Sequence, residues 1–143
     1  MERRIFVNLP VTNVIASSAF YAALGAERDE RFCDGSTAMM HFTDTITVML
    51  LDRERYASFT AKQAIDPRKQ SGVLLCLSCA DRTEVDRMTN IAAWAGGRAD
   101  PNPSHDHGFM YGRSFEDPDG HEWQAVWMDV AAAMAARKQM QDA

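Results

Sequence analysis

Three of the four histidines fall in two short late clusters, His105-Asp106-His107 and His121-Glu122, and imidazoles are the side chains best matched to acid–base or ligand chemistry near neutral pH. The first cluster follows Pro101-Asn102-Pro103-Ser104, so it lies on a loop. Such a loop could act as a lid over a binding face, with one imidazole serving as acid, base or ligand. The plainer expectation is a solvated loop in which Asp106 screens both rings, because no third ligand is visible in the sequence. His121-Glu122 could ligate or relay protons, although a residue just past a turn is ordinarily strand-end surface. His41, within Met39-Met40-His41-Phe42, lies in a strand and is expected to be half-buried with its polar needs met.

Cys76-Leu77-Ser78-Cys79 has the spacing of a redox pair, but it falls inside a strand. Alternation points its two thiols to opposite faces, too awkward for a disulfide. Arg113 stands mid-strand among Tyr111, Phe115, Trp123 and Trp127. There it needs a carboxylate or an anionic ligand, with Glu116 and Glu122 as internal candidates. Met39, Met40, Met49, Met88, Met110 and Met128 would make an adaptable lining. The sequence contains no glycine-rich phosphate loop and no Ser/His/Asp arrangement.

These residues are carried by a recurring element pattern. Ile5 to Val11 alternates and reads as a strand. Asn13 caps a helix with Ile15, Ala16, Ala19, Phe20, Ala23 and Leu24 at helical spacing, closed by Gly25. Strands are expected around Arg31-Phe32-Cys33, at Ala38 to Phe42 and at Thr45 to Leu51. The order then repeats after roughly 70 residues. Val73 to Cys79 is an apolar strand, and Asp81 caps a helix with Glu84 at capping-box spacing. Its buried stripe is Val85, Met88, Ile91 or Ala92, and Trp94 or Ala95, and Gly96-Gly97 stops it. Strands follow at Arg98-Ala99, Phe109 to Phe115 and Glu122 to Met128. Pro118, Asp119 and Gly120 make the turn before the last of these. Tyr56 to Gly72 reads as a long connection, and the alanine-rich tail as a helix capped by Asp129.

The expected fold is therefore α+β, two βαβββ modules whose strands pair into one curved mixed sheet, helices outside and a concave face inside. Residues 1–129 form one domain, with modules at about 1–55 and 72–129, and residues 130–143 form a helical tail. With 143 residues the chain can bury a real core. Its net charge of −5 gives no footprint for nucleic acid. The N-terminal apolar run, interrupted by Asn8 and Pro10, is neither a signal peptide nor a membrane span. Three cysteines without an export signal point to reduced thiols in the cytoplasm.

Phe20-Tyr21-x-x-Leu24-Gly25, the βαβββ repeat and Asp117-Pro118-Asp119-Gly120 before a final strand resemble the vicinal oxygen chelate superfamily, which includes glyoxalase I, bleomycin-resistance proteins and extradiol dioxygenases. The runs Ile5 to Val11, Val48 to Leu51 and Phe109 to Asp117 are similar to a bacterial branch described as predicted lactoylglutathione lyase-related. The resemblance covers about residues 4 to 129. It is informative for fold and weak for reaction, because one scaffold hosts several chemistries. Glyoxalase I holds a divalent metal with ligands from four strands. Matched motif by motif, those positions fall here on Phe6, Leu50, Leu74 and Gln124, with Asn8 on the same face as Phe6. A metal site needs three or four N, O or S ligands. The resemblance thus implies that the usual metal site is absent, and a one-residue slip to Val7, Met49, Leu51, Leu75 or Trp123 does not restore it. No metal or other cofactor is expected.

The expectation is a binder of a small, partly aromatic molecule. Phe6, Asn8, Leu50, Leu74 and Gln124 would line the cup, with Tyr111, Arg113, His105 and His107 at its rim. No residue is assigned a catalytic role. The alternative is a metal-dependent lyase or dioxygenase, lactoylglutathione-lyase-like, recruiting ligands from Gln124, Glu122, His121, His41 or the His105/His107 loop. By resemblance the protein pairs with itself, and neither a nucleic-acid nor a membrane partner is expected.

Overall fold

The computed structural model describes residues 1–142. The first module runs β1 (Ile5–Val11), α1 (Val14–Ala23), β2 (Glu27–Arg28), β3 (Thr37–His41) and β4 (Ile46–Asp52). A short helix, α2 (Arg53–Ala57), opens the connection. The second module runs β5 (Leu75–Ser78), α3 (Arg82–Trp94), β6 (Arg98–Ala99), β7 (His105–Asp106), β8 (Met110–Glu116) and β9 (Glu122–Met128), and α4 (Val130–Asp142) follows. Local chemistry sets the helix ends. The Asn13 and Asp81 side chains accept from the backbone N–H groups of Ala16 and Glu84. The Glu84 carboxylate reaches back to the Ala80 N–H, a displaced capping box. Asp129 caps α4 through the Ala132 N–H.

The α+β two-module architecture is the one expected, but each module keeps its own sheet. The strand orders are β1-β4-β3-β2 and β5-β9-β8-β6, with β7 paired to β8. Within each sheet the first and last strands run parallel. β1 and β5 are edge strands that do not pair with each other in the single chain. Pro10 lacks an N–H to offer such a pairing, and its carbonyl accepts from His121 Nε2 at 2.7 Å.

The helix-covered faces of both sheets meet in one core. Val7, Leu9, Val11, Val48, Leu50, Ala38 and Met40 join Phe20 and Tyr21 of α1, Val85 and Ala92 of α3, and Phe115, Trp123 and Ala125 of the second sheet. Phe20 and Tyr21 reach across: Tyr21 meets Trp123 with ring centres 5.8 Å apart, and Phe20 meets Phe115 at 6.4 Å. Gly97 admits this contact, because a Cβ there would stand 2.0 Å from the Glu116 carbonyl and 2.7 Å from the Phe20 ring.

A buried polar network ties the same seam. The Tyr21 hydroxyl donates to Asp117 at 2.7 Å and accepts from Trp123 Nε1 at 3.0 Å. Asp117 also accepts from the backbone N–H groups of Asp119 and His121. Asp119 accepts from the Thr12 N–H of the first module. Burial raises the Asp117 carboxyl, and burial together with the neighbouring Asp117 charge raises the Tyr21 hydroxyl.

Several local expectations change. Arg31-Phe32-Cys33 is not a strand. Asp29 caps a 3-10 turn over Glu30–Phe32 by accepting from the Arg31 N–H, and the strand lies earlier at Glu27–Arg28. β5 begins at Leu75 rather than Val73. At the end of α3, Ala95 packs on the core while Trp94 is 86% exposed. His105–Asp106 pairs with β8 instead of remaining loop.

Candidate functional site

Strand register decides which side chains share a face. In the first sheet Phe6 pairs with Thr47 and Asn8 with Met49, while Met39 pairs with Met49 and His41 with Thr47. These six residues form the face turned away from the core. α2 packs on β1 and β4 at one end of that face, where Pro10 and Leu51 are buried. The other end opens into a cavity of about 700 Å³, lined by Phe6, Met39 and His41, with Asp29, Arg31 and Phe32 on its wall. Phe6 and Phe32 are 47% and 54% exposed, which leaves two phenyl rings available to a ligand.

On the cavity floor His41, Thr47, Asp29 and Arg31 satisfy one another. His41 Nδ1 meets Thr47 Oγ1 at 2.7 Å and Nε2 meets Asp29 Oδ2 at 3.0 Å. Arg31 grips Asp29 through Nε and Nη2 at 3.0 and 2.8 Å. These bonds, Arg31 first, hold the Asp29 carboxyl well below the usual carboxylate range. With both ring nitrogens engaged, His41 has none free for a substrate proton, so it orders the floor. The sequence marked His41 as a half-buried strand residue and as one ligand candidate of the metal-dependent alternative, and missed Asp29, Arg31 and Phe32. The strand assigned to that stretch hid a turn, whose signal was an Asp two residues ahead of Arg31.

In the second sheet the open face carries Cys76, Gln124 and Ser114, which stand directly opposite one another. His105 pairs with Gly112, which places it on this face. It lines a small hollow with Met110, Gly112, Gln124 and Val126. Partial burial of its sulfur pushes the Cys76 thiol up.

The residues singled out in the sequence thus separate. Phe6 and Asn8 share one open face, and Gln124 and His105 share the other. His107 lies just beyond β7, its ring stacked on that of His105. Leu74, 57% exposed, precedes β5. Leu50 does not line a cup: it pairs with Leu9 and is fully buried under α1. Tyr111 and Arg113 are not at a rim either, because both lie on the helix-covered face. Arg113 is held by Asp100 at 2.7 Å, Asp86 at 3.0 Å and Asn90, not by Glu116 or Glu122. Tyr111 donates to Asp86 at 2.6 Å. Arg113 pins Asp100, whose φ of 55° is left-handed.

A divalent ion at the superfamily's four positions would find the Phe6 ring, the Leu74 side chain and the Gln124 amide. On β4 it would find Met49, the open-face neighbour of Leu50. One amide oxygen and one soft thioether do not fit a site that needs three or four N, O or S donors. Among the described residues no three His, Cys, Asp or Glu side chains converge.

Solved structures with the same fold include a hypothetical protein from S. aureus, 24% identical, with a TM-score of 0.73 over 89% of this chain and 94% of that one. A glyoxalase-related enzyme from Fulvimarina pelagi is 18% identical, with a TM-score of 0.72 over 89% and 88%. A lactoylglutathione lyase from Agrobacterium tumefaciens is 16% identical, with a TM-score of 0.65 over 89% and 94%. At these identities the likeness is one of fold. No curated protein matches the chain. The paired modules, the turn at Asp117 to Gly120 and a family match over residues 5–125 agree: this chain belongs to the Glyoxalase/Bleomycin resistance protein/Dioxygenase superfamily.

Proposed function

We propose that this protein binds a small, partly aromatic organic molecule on its open sheet faces, without a divalent metal at the superfamily's usual positions. The observation that carries this reading is the donor set: hydrocarbon at Phe6 and Leu74, a thioether at Met49 and a lone amide at Gln124. The cavity sets the Phe6 and Phe32 rings and the Met39 thioether among charged side chains that include Arg4, Glu27 and Asp44, and Asn8 and Gln124 offer hydrogen bonds to orient a ligand. The protein works as a homodimer. The open faces flank β1 and β5, whose outer edges are unpaired in one chain. A second copy setting its β5 beside β1 would bring Gln124 of one chain opposite Phe6 and Asn8 of the other. Its place is the cytoplasm, where the free thiols of Cys33, Cys76 and Cys79 stay reduced. No helix among the described residues is long and apolar enough to cross a membrane.

The test is elemental analysis of freshly purified protein together with thermal-shift screening of small aromatics. Ligand-induced stabilisation that persists after chelation, and is lost in Phe6→Ala, is the expected result. Stoichiometric metal removed along with an activity would refute this reading and establish a metal-dependent lyase or dioxygenase.

A further inference from the structure

We propose that His105 and His107 form a two-imidazole site for a borderline transition-metal ion of the Ni²⁺, Cu²⁺ or Zn²⁺ class, at the rim of the second sheet. Residues two apart on an extended segment share a face. Here the residue between them is pinned to the other side. Asp106 accepts from Arg82 at 2.9 and 2.8 Å, and Arg82 also donates to the Gly108 carbonyl. The Arg82 guanidinium lies over the Tyr111 and Trp127 rings, 5.0 and 5.4 Å from their centres. With Asp106 so held, both imidazoles project together to the opposite side, their ring centres 6.3 Å apart and their planes 16° from parallel. The Phe109 ring stacks on His107, with centres 6.0 Å apart.

The other two histidines are occupied. His41 has both nitrogens engaged, and buried His121 spends Nε2 on the Pro10 carbonyl. Neither the His105 nor the His107 ring has a hydrogen-bond partner among the described residues, and both are exposed. Rotation of these two side chains about χ1 and χ2 turns one nitrogen of each toward a common ion without moving the backbone. Imidazole suits Ni, Cu and Zn, and the order of affinity for such a site rises from Ni²⁺ to Cu²⁺. Two imidazoles are fewer than the three or four protein ligands of a resident metal centre, and Asp106 is committed to Arg82, so water fills the remaining positions and the ion is held in free exchange. His105 lines a hollow together with Gln124, but the two ligands proposed here are imidazoles outside the superfamily's four positions, and the site does not rest on the function proposed above.

The experiment is Ni²⁺ titration of the full chain by calorimetry, with nuclear magnetic resonance of the histidine rings alongside. The expected result is one saturable site, with paramagnetic broadening centred on His105 and His107 while His41 and His121 stay sharp. His105→Ala and His107→Ala each abolish the site. Asp106→Asn keeps both ligands but loosens the strand, so it weakens binding without abolishing it. Absence of saturable uptake, uptake that survives in the double alanine variant, or broadening centred elsewhere would overturn the proposal. Circular dichroism of each variant distinguishes lost binding from lost fold.

Discussion

Tyr21→Phe removes one oxygen from the seam between modules and leaves the ring in place. The missing hydroxyl donates to the buried Asp117 carboxylate and accepts from the Trp123 indole. A hydrogen bond to a charged acceptor contributes about 1.5–3 kcal/mol, and stranding a buried N–H costs about 1–3 kcal/mol. The phenyl ring still fills its space, so no cavity term is added. The expected loss is about 3–5 kcal/mol, a large share of the roughly 5–15 kcal/mol that holds a domain folded. Urea unfolding followed by tryptophan fluorescence measures it.

The loss also has a pH signature. Burial raises the Asp117 carboxyl, so its ionisation works against the fold: its contribution is full below the unfolded value of about 3.9 and is lost as pH rises through the folded value. The Tyr21 hydroxyl opposes that loss by stabilising the ionised form. Its removal therefore costs more at pH 7 than near pH 4. A deficit under about 1 kcal/mol, or one that is the same at both pH values, would refute the account of this seam.

Gly97→Ala is expected to destabilise by at least about 2 kcal/mol, since the new methyl meets the Glu116 backbone as well as the Phe20 ring; thermal unfolding checks it. Asp29→Asn lowers the melting temperature at pH 7, and the difference shrinks in acid, because a depressed carboxyl stabilises above its unfolded value and loses that effect as pH falls toward its folded one; melts at pH 7 and pH 3 test the sign. Arg113→Leu costs about 1 kcal/mol, discounted because Asp86 and Asp100 are half-exposed, and it leaves ligand binding intact because Arg113 faces the helix; paired unfolding and thermal-shift assays separate the two effects.

What could be read in advance follows the range of the interactions. The caps at Asn13, Asp81 and Asp129 and the turn at Asp117 to Gly120 depend on residues a few positions apart, and the sequence displays them. Leu50 was misplaced by strand parity. Val48 to Leu51 is apolar throughout, since α1 covers one face and α2 the end of the other, so no alternation marks the side facing the core. Arg113 shows that an arginine needs acids without showing which ones. Asp86 and Asp100 lie 27 and 13 residues away and meet it only through packing of α3 and the chain after β6. Arg31 lies in a stretch with a strand's composition that one side chain, Asp29, folds back into a turn.

The seam bears on how the chain can be divided. Tyr21 completes the solvation of a carboxylate almost a hundred positions downstream, and His121 does the same for the Pro10 carbonyl. Neither half therefore carries a finished interior of its own. A protease cutting the exposed stretch after α2 would sever the backbone without separating the fragments, which would stay assembled as a nicked but intact particle.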